Sequence, residues 1–148
     1  MLLVIGSDHG GFQMKEFIKK HLSLLGYEVK DLGCFIPDRC DYPNKAAEVC
    51  QDIKNKDVKG RKKMGILFCG TGIGISIAAN KIREIRCALC HDHYTAVMSR
   101  KHNNANVLAL GGRTTGKEVA KEIVETFLTT DFEGGRHETR VQKIMALE

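Results

Sequence analysis

The sequence has 148 residues, which is enough for one domain with its own hydrophobic core. Apolar residues make up 43% of the chain and charged residues 28%, which excludes a disordered or fibrous protein. The formal net charge is +5, and no aromatic residues are interleaved with the basic cluster. The lack of aromatic residues argues against nucleic acid as a partner. The modest positive charge suits a substrate that carries phosphate. We therefore predict a single domain over residues 1–148.

The apolar run at the amino terminus, residues 1–5, is short and follows no basic leader, so we expect no signal peptide. No apolar stretch approaches the ~20 residues that a transmembrane helix needs. We therefore expect a cytoplasmic protein with no membrane partner. Thiols stay reduced in the cytoplasm, so the six cysteines are interpreted one at a time rather than as a set of disulfides. They are Cys34, Cys40, Cys50, Cys69, Cys87 and Cys90.

Short apolar runs alternate with amphipathic stretches along the chain. This pattern predicts strands over residues 2–6, 27–31, 65–69, 86–90 and 106–110. It predicts helices over residues 12–25, 44–54, 74–83, 95–102, 117–128 and about 138–146. Such alternation predicts an α/β fold, in which a five-stranded parallel sheet has helices on both faces in a three-layer, Rossmann-like arrangement, with a C-terminal helical arm. The site of such a fold lies at the carboxyl ends of the strands.

A glycine-rich loop follows the third predicted strand, with Gly70, Gly72 and Gly74 between that strand and a helix. Glycine lets backbone N–H groups approach a ligand closely, and a helix start adds unpaired N–H donors, so the loop predicts an anion-binding cradle. The spacing matches neither the P-loop nor the dinucleotide-binding motif. On the loop alone, a nucleotide-phosphate loop and a plain tight turn both remain open.

Cys69 ends the strand directly before this loop. A thiol beside a helix amino terminus ionises more readily, and the same N–H groups can hold an oxyanion as charge develops. A base beside an oxyanion cradle is what proton abstraction next to a carbonyl requires. A lone cysteine at a strand end is more often a small core residue, but the glycine loop after it favours a catalytic role.

Two arginines, Arg136 and Arg140, share one face of the last predicted helix, where their like charges repel. A bound phosphate would relieve this repulsion, and guanidinium groups match phosphate geometry. On spacing alone, two solvated arginines are equally well supported. Arg113, which follows the fifth strand, is a third candidate for the same phosphate.

Two short polar segments, Asp8-His9 and His102-Asn103, could pass protons between sugar oxygens, because histidine titrates near pH 7. A histidine at a helix end is nevertheless more often structural. For His102 the residues alone do not decide between these two interpretations.

The segment from Cys87 to His91 matches the haem-attachment pattern C-x-x-C-H and could suggest a zinc or redox pair. It lies in a predicted strand, however, where residues three apart point to opposite faces. No second C-x-x-C completes a zinc site either. We therefore reject a functional role for Cys87 and Cys90.

Taken together, these motifs resemble those of type B ribose-5-phosphate isomerases, in the family that also includes galactose-6-phosphate isomerase subunits. The similarity covers nearly the whole chain in order, and its glycine loop and carboxyl-terminal motif are highly specific. The matching segments are SDHGGF (7–12), DYP (41–43), CGTGIGISIAANK (69–81), SRxHNxxNVL (99–108), GxR (111–113) and FEGGRHxxRV (132–141).

The resemblance implies interconversion of ribose 5-phosphate and ribulose 5-phosphate through a cis-enediol, in the non-oxidative pentose phosphate pathway, without metal or cofactor. It places the base at Cys69 and the ring-opening acid/base at His102, and we expect Thr71 to help stabilise the enediolate. Some relatives use a glutamate as base at the position of Ile75, which favours the cysteine here. The implied substrate-binding residues are Asp8, His9, Gly70, Thr71, Gly72, Ile73, Gly74, Asn103, Arg113, Arg136 and Arg140.

The resemblance also implies a homodimer, or a tetramer, whose sites draw residues from both subunits. It leaves open whether His9 or His137 shares the ring-opening role. Residues 55–63 look somewhat longer than usual for the family. One alternative is the same chemistry on a 6-phosphohexose such as allose or galactose 6-phosphate. A non-catalytic phosphate- or nucleotide-binding module is a second alternative, but it would not explain Cys69, His102 and the arginine pair together.

Overall fold

The structure, a computed structural model, describes residues 1–55 and 59–148. In this part of the chain the strands are β1 (Leu2–Ser7), β2 (Glu28–Asp31), β3 (Lys63–Cys69), β4 (Cys87–Leu89) and β5 (Val107–Gly111). The helices are α1 (Phe12–Leu24), α2 (Tyr42–Lys54), α3 (Ile73–Ala79), α4 (His93–Lys101), α5 (Lys117–Thr129) and α6 (Arg136–Met145). The longer stretch expected over residues 55–63 lies partly outside the described residues.

The predicted order of strands and helices is confirmed, and most boundaries agree to within a few residues. The largest difference is α3, which was expected to reach residue 83 and ends at Ala79. Beyond it the chain continues in tighter turns, in which the Lys81 and Ile82 N–H groups donate to carbonyl groups three residues back.

The five strands form one parallel sheet in the order β2-β1-β3-β5-β4. Its central strands β1, β3 and β5 are buried on both faces because both faces are covered by helices. Leu3 and Ile5 of β1 pack in the cluster that also holds residues of α1, α4 and α5. Leu2 and Val4 pack in the cluster on the other face, which holds residues of α2 and α3. The three-layer prediction is therefore confirmed.

The strand order places the carboxyl ends of β1 and β3 side by side, at the point where the chain changes direction across the sheet. After β1 the chain crosses to β2 on one side, and it then returns to β3 on the other side. Crevices at such switch points hold the ligands of open α/β sheets. Asp8 directly follows β1 and Cys69 ends β3, so these two residues lie at the predicted site.

None of the helices in the described ranges is long and apolar enough to cross a bilayer.

The expectation that every cysteine stands alone is wrong for one pair, because Cys34 and Cys40 form a disulfide. Both are held at the end of β1. The Cys34 N–H donates to the Ser7 carbonyl at 2.8 Å, and Cys40 Sγ lies 3.7 Å from the same oxygen. This shared anchor, which the spacing of the cysteines alone does not reveal, brings the two sulfurs together. The other four cysteines are free.

A buried ion pair joins α1 to β2. The Lys15 side chain is 0% exposed, and its Nζ lies 2.6 Å from Asp31 Oδ2 and 2.7 Å from Glu16 Oε1. Burial acts to raise the pKa of Asp31, but hydrogen bonds from Lys15 and Lys19 outweigh it and hold that pKa below its ordinary value. The carboxylate therefore stays charged and depends on its lysine partners.

Replacing Lys15 by alanine is expected to lower the free energy of unfolding by about 3–5 kcal/mol, because it leaves the Asp31 carboxylate without its buried partner. Urea denaturation of the two proteins measures this loss. Lys19→Ala is the matched control. Its ammonium also contacts Asp31 but its side chain is 32% exposed, so about 1 kcal/mol or less should be lost. Equal losses in the two variants would contradict the prediction.

Candidate active site

The segment after β1 forms one wall of the candidate site. Asp8 is buried, and its Oδ1 accepts a hydrogen bond from the Gly11 N–H at 2.9 Å. Gly10 approaches the backbone of Gly70 so closely that a Cβ at Gly10 would lie 2.9 Å from the Gly70 nitrogen. The Asp8-His9 segment and the glycine loop are therefore in contact, as their places at the ends of β1 and β3 predict.

Cys69 is the last residue of β3 and is only 4% exposed. Its Sγ accepts a hydrogen bond from the Gly72 N–H at 3.1 Å. The bond aims a backbone N–H of the glycine loop at the sulfur that the sequence predicts to be the base. Two independent constraints require glycine at position 72. Its φ of +77° is unfavourable for other residues, and a Cβ there would lie 2.5 Å from Leu89 Cδ1.

Thr71 and Ile73 complete the loop. The Thr71 hydroxyl accepts a hydrogen bond from the Ile73 N–H at 3.3 Å, and Ile73 is 51% exposed as the first residue of α3. Two N–H groups of the predicted cradle, those of Gly72 and Ile73, are thus engaged inside the loop in this conformation. A ligand anion would compete with the Cys69 sulfur and the Thr71 hydroxyl for them.

Arg113 reaches the same edge of the sheet from the end of β5. Its N–H donates to the Gly70 carbonyl at 2.9 Å, and the Gly112 N–H donates to the Cys69 carbonyl at 2.8 Å. These bonds fix the two segments side by side. A cavity of about 250 Å³ opens beside them, and its walls are formed by His9, Gly10, Gln13, Pro37, Gly112 and Arg113.

Three residues of the candidate site were not among the predicted site residues. Gln13 and Pro37 line it, and the Tyr42 side chain lies against Gly74 in the glycine loop. Tyr42 belongs to the DYP motif, so the resemblance carried a signal for it. Gln13 and Pro37 reach the cavity only through the folding of α1 and of the loop after β2.

A second group of predicted site residues surrounds two stacked imidazoles. The rings of His102 and His137 are parallel to within 7°, with centroids 4.0 Å apart, and His137 is buried. The Arg136 Nε donates to His137 Nε2 at 3.4 Å. Burial, the neighbouring His102 ring and the Arg136 guanidinium lower the pKa of His137 below its ordinary value, so that its ring is neutral at pH 7.

Nitrogen atoms of these two histidines and a carboxylate oxygen of Glu133 lie within 4.8 Å of one another. A metal ion needs ligand lone pairs that converge on one point. The lone pairs of two parallel stacked imidazoles do not converge, and Arg136 adds a positive charge beside them. The arrangement therefore fits a metal ion poorly.

Arg136 begins α6, and Arg140 follows one turn later, so the predicted i, i+4 pair lies on one face of a helix. Both arginines are exposed. The helix lies beside the end of α4, since the Glu133 N–H donates to the Lys101 carbonyl and His137 stacks on His102. The arginine pair and His102 are therefore neighbours.

The structure does not bring this second group to Cys69 within one chain. His102 and Asn103 follow α4 at the amino-terminal edge of the sheet, where the Asn103 carbonyl accepts a hydrogen bond from Arg86, the residue before β4. Cys69 lies level with Gly111 at the far end of β5. Four steps of about 3.3 Å run along β5 from Val107 to Gly111, so the two edges of the sheet lie about 13 Å apart.

A larger cavity of about 680 Å³ lies at the amino-terminal edge of the sheet. Asn103 and Arg86 are among its lining residues, together with Ile144 and Leu147 from the carboxyl-terminal end. This cavity therefore adjoins the second group of predicted site residues, around His102, and lies far from Cys69.

The rejection of Cys87 and Cys90 as a pair agrees with the structure. Cys87 packs in the cluster with α2 and α3, whereas Cys90 packs in the cluster on the opposite face of the sheet. Burial raises the pKa of both thiols, that of Cys87 well above its ordinary value.

Comparison with known proteins identifies the family. Residues 3–144 match the family described as Ribose/Galactose Isomerase. Ribose-5-phosphate isomerase B of Escherichia coli K12 is 47% identical over 99% of this chain and 95% of its own length. The solved ribose-5-phosphate isomerase B of Clostridium thermocellum superposes with a TM-score of 0.94 at 48% identity, covering 99% of this chain and 97% of that one.

The ribose-5-phosphate isomerase B of Mycoplasma genitalium, solved with bound ribulose-5-phosphate, gives a TM-score of 0.91 at 40% identity and covers 99% of this chain and 95% of that one. The predicted resemblance is thus confirmed over essentially the whole length and in three dimensions. The chain belongs to the ribose/galactose isomerase family.

Proposed function

We propose that this chain is an aldose–ketose isomerase that interconverts ribose 5-phosphate and ribulose 5-phosphate. The observation that carries the proposal is the Cys69 sulfur, which accepts the Gly72 N–H at the mouth of a glycine loop and lies beside the Arg113 segment. The identity to the isomerase of Escherichia coli and the likeness to the ribulose-5-phosphate complex of Mycoplasma genitalium support the choice of sugar.

In the proposed mechanism, His102 first moves a proton between the ring oxygen and O1 of the furanose, which opens the ring to the aldehyde. The neutral His137 ring stacked on His102 holds that imidazole in place. The Cys69 thiolate then removes the proton from C2, and the electron pair moves to give a cis-enediolate. The N–H groups of the loop and the Thr71 hydroxyl stabilise its oxyanion. A proton then moves from O2 to O1, and return of the carbon-bound proton from the Cys69 thiol to C1 completes the ketose.

We also propose that each site is built by two copies of the chain in a homodimer. Within one chain the two groups of residues lie at opposite edges of the sheet, so His102, Asn103, Arg136 and Arg140 would have to come from a second copy. Support comes from Ile73 and Ile77, which are 51% and 56% exposed on one face of α3, directly after the glycine loop. Covering this apolar face would place a second copy beside Cys69.

We assign the substrate phosphate to Arg136 and Arg140, which lie beside His102, and to Arg113, which lies beside Cys69 in the other group of site residues. The double replacement Arg136→Ala/Arg140→Ala is expected to raise KM for ribose 5-phosphate by about a hundredfold or more, because hydrogen bonds to charged groups contribute about 1.5–3 kcal/mol each. Steady-state kinetics measure the change. Lys143→Ala removes another exposed charge from the same helix and should leave KM unchanged. An unchanged KM in the double variant would remove the phosphate assignment.

A 6-phosphohexose is the second candidate substrate, because the family that this chain matches is described as acting on galactose as well as ribose. The experiment is to incubate the protein with ribose 5-phosphate, allose 6-phosphate and galactose 6-phosphate, with and without a chelator, and to follow ketose formation. We expect turnover of ribose 5-phosphate that the chelator does not affect.

Turnover of a 6-phosphohexose alone would make that sugar the substrate. Binding of sugar phosphates without any turnover would favour the non-catalytic binding module. We also infer a cytoplasmic location, because the proposed substrate is a charged sugar phosphate.

A further inference from the structure

The loop between β2 and α2 contains the disulfide of Cys34 and Cys40 and is tied to the candidate site at Ser7 and at Pro37. Both cysteines are anchored at Ser7, directly before Asp8. Pro37, in the middle of the loop, lines the 250 Å³ cavity together with His9 and Arg113. The bond therefore closes a short ring of chain whose apex is part of the cavity wall.

The segment inside this ring, residues 35–39, is exposed throughout. Among the described residues, no hydrogen bond or ion pair joins these five residues to the rest of the protein. The Phe35 ring lies over the Lys15 ammonium, which is 5.7 Å from the ring centroid. The position of Pro37 therefore depends mainly on how firmly Cys34 and Cys40 are held.

We propose that Cys34 and Cys40 are a reversible thiol–disulfide modification site, whose closed form fixes the Pro37 wall of the sugar-phosphate cavity. The oxidant is a low-molecular-weight disulfide. The Cys40 thiolate attacks one of its sulfurs, which forms a mixed disulfide and releases one small thiol. The Cys34 thiolate then attacks Cys40 Sγ, which closes the protein disulfide and releases the second small thiol. Two protein thiols are oxidised and one small disulfide is reduced to two thiols.

The order of these steps follows from exposure. Cys40 is half-buried and meets solvent, whereas Cys34 is only 7% exposed and can reach little except Cys40. An accessible cysteine beside a buried resolving cysteine is the usual arrangement of a redox-sensitive pair. Disulfides that form in reducing compartments are in general transient or regulatory, which suits a reversible bond on a site loop.

The remaining cysteines should not compete for the oxidant. Cys50 and Cys90 are at most 1% exposed, and burial raises the pKa of Cys50 to about 12. Burial likewise raises the pKa of Cys87 and of Cys90, so these three thiols stay protonated and unreactive. Cys69, the proposed base, is only 4% exposed, so a bulky disulfide reaches its sulfur far less readily than that of the half-buried Cys40.

The bond itself can be tested without any assay of activity. The full-length protein is equilibrated with reduced and oxidised glutathione, its free thiols are alkylated, and it is digested with trypsin without reductant. Cleavage after Lys30, Arg39 and Lys45 separates the two cysteines into peptides 31–39 and 40–45, which only a disulfide can hold together.

We expect the linked pair of peptides under oxidising conditions, two separate alkylated peptides after reduction, and alkylation of Cys50, Cys69, Cys87 and Cys90 in both samples once the protein is unfolded. Cys40→Ser should give no linked pair. Peptides that stay separate at every ratio of the two glutathione forms, or that carry glutathione instead of each other, would overturn the proposal.

The effect of the disulfide on substrate binding rests on the proposed isomerase function and is measured in a separate kinetic experiment. Fixing the loop removes an ordering cost from substrate binding, so KM for ribose 5-phosphate should be about two- to tenfold lower in the oxidised than in the reduced protein, with kcat unchanged. In Cys34→Ser/Cys40→Ser the two conditions should give one KM. Equal KM values in the wild type, with the linked peptides present, would overturn the effect on the cavity. Absence of turnover in every sample would count against the isomerase assignment and not against the bond.

Discussion

Replacing Cys69 by alanine is expected to lower kcat for ribose 5-phosphate by about 10²–10⁴-fold, the contribution typical of a positioned general base. The variant keeps the loop backbone but loses the sulfur that accepts the Gly72 N–H. KM should change little, since the groups assigned to the phosphate remain. Coupled measurement of ketose formation gives both constants.

A second readout isolates the proton-transfer step itself. In deuterium oxide the wild-type protein should exchange the transferred hydrogen with solvent, and Cys69→Ala should lose this exchange in parallel with turnover. Cys69→Ser keeps a small polar group of similar shape but a much weaker base, and it should resemble the alanine variant. Cys87→Ala removes another free cysteine and should keep wild-type kinetics. A folded Cys69→Ala protein with wild-type turnover would defeat the assignment of the base.

The features of this site that were predictable from sequence are those whose partners lie close together in the chain. Cys69 and Gly72 are three residues apart, so a strand end followed by alternating glycines was enough to predict that backbone N–H groups approach the thiol. Likewise, the i, i+4 spacing of Arg136 and Arg140 fixes their common face once a helix is assumed.

The features that were not predictable depend on register and on contacts between distant elements. The stacking of His137 on His102 joins the start of α6 to the end of α4, and no local pattern encodes it. The disulfide between Cys34 and Cys40 depends on both residues folding against Ser7. The wide separation of His102 from Cys69 follows from the alignment of β3 with β5, which places Gly65 beside Val107 and Cys69 beside Gly111.

That separation also means that a site containing both residues cannot be built from one chain with this fold. Moving His102 to Cys69 would require α4 and α6 to leave their packing at the far edge of the sheet. Docking a second copy requires no such change, and in a two-fold dimer each of the two sites would then combine the Cys69 group of one copy with the His102 group of the other.

A hybrid of two inactive variants is therefore expected to regain activity. Cys69→Ala and His102→Ala chains with different affinity tags are co-expressed, and the dimer that carries both tags is purified. One of its sites combines both defects and the other combines two intact groups, so turnover should reach about half of the wild-type value per dimer. A tagged hybrid of Cys69→Ala with Cys69→Ser contains no intact site and is the matched control, which should stay inactive. If the site lay within one chain, the first hybrid would also be inactive, because each of its sites would then carry one of the two defects.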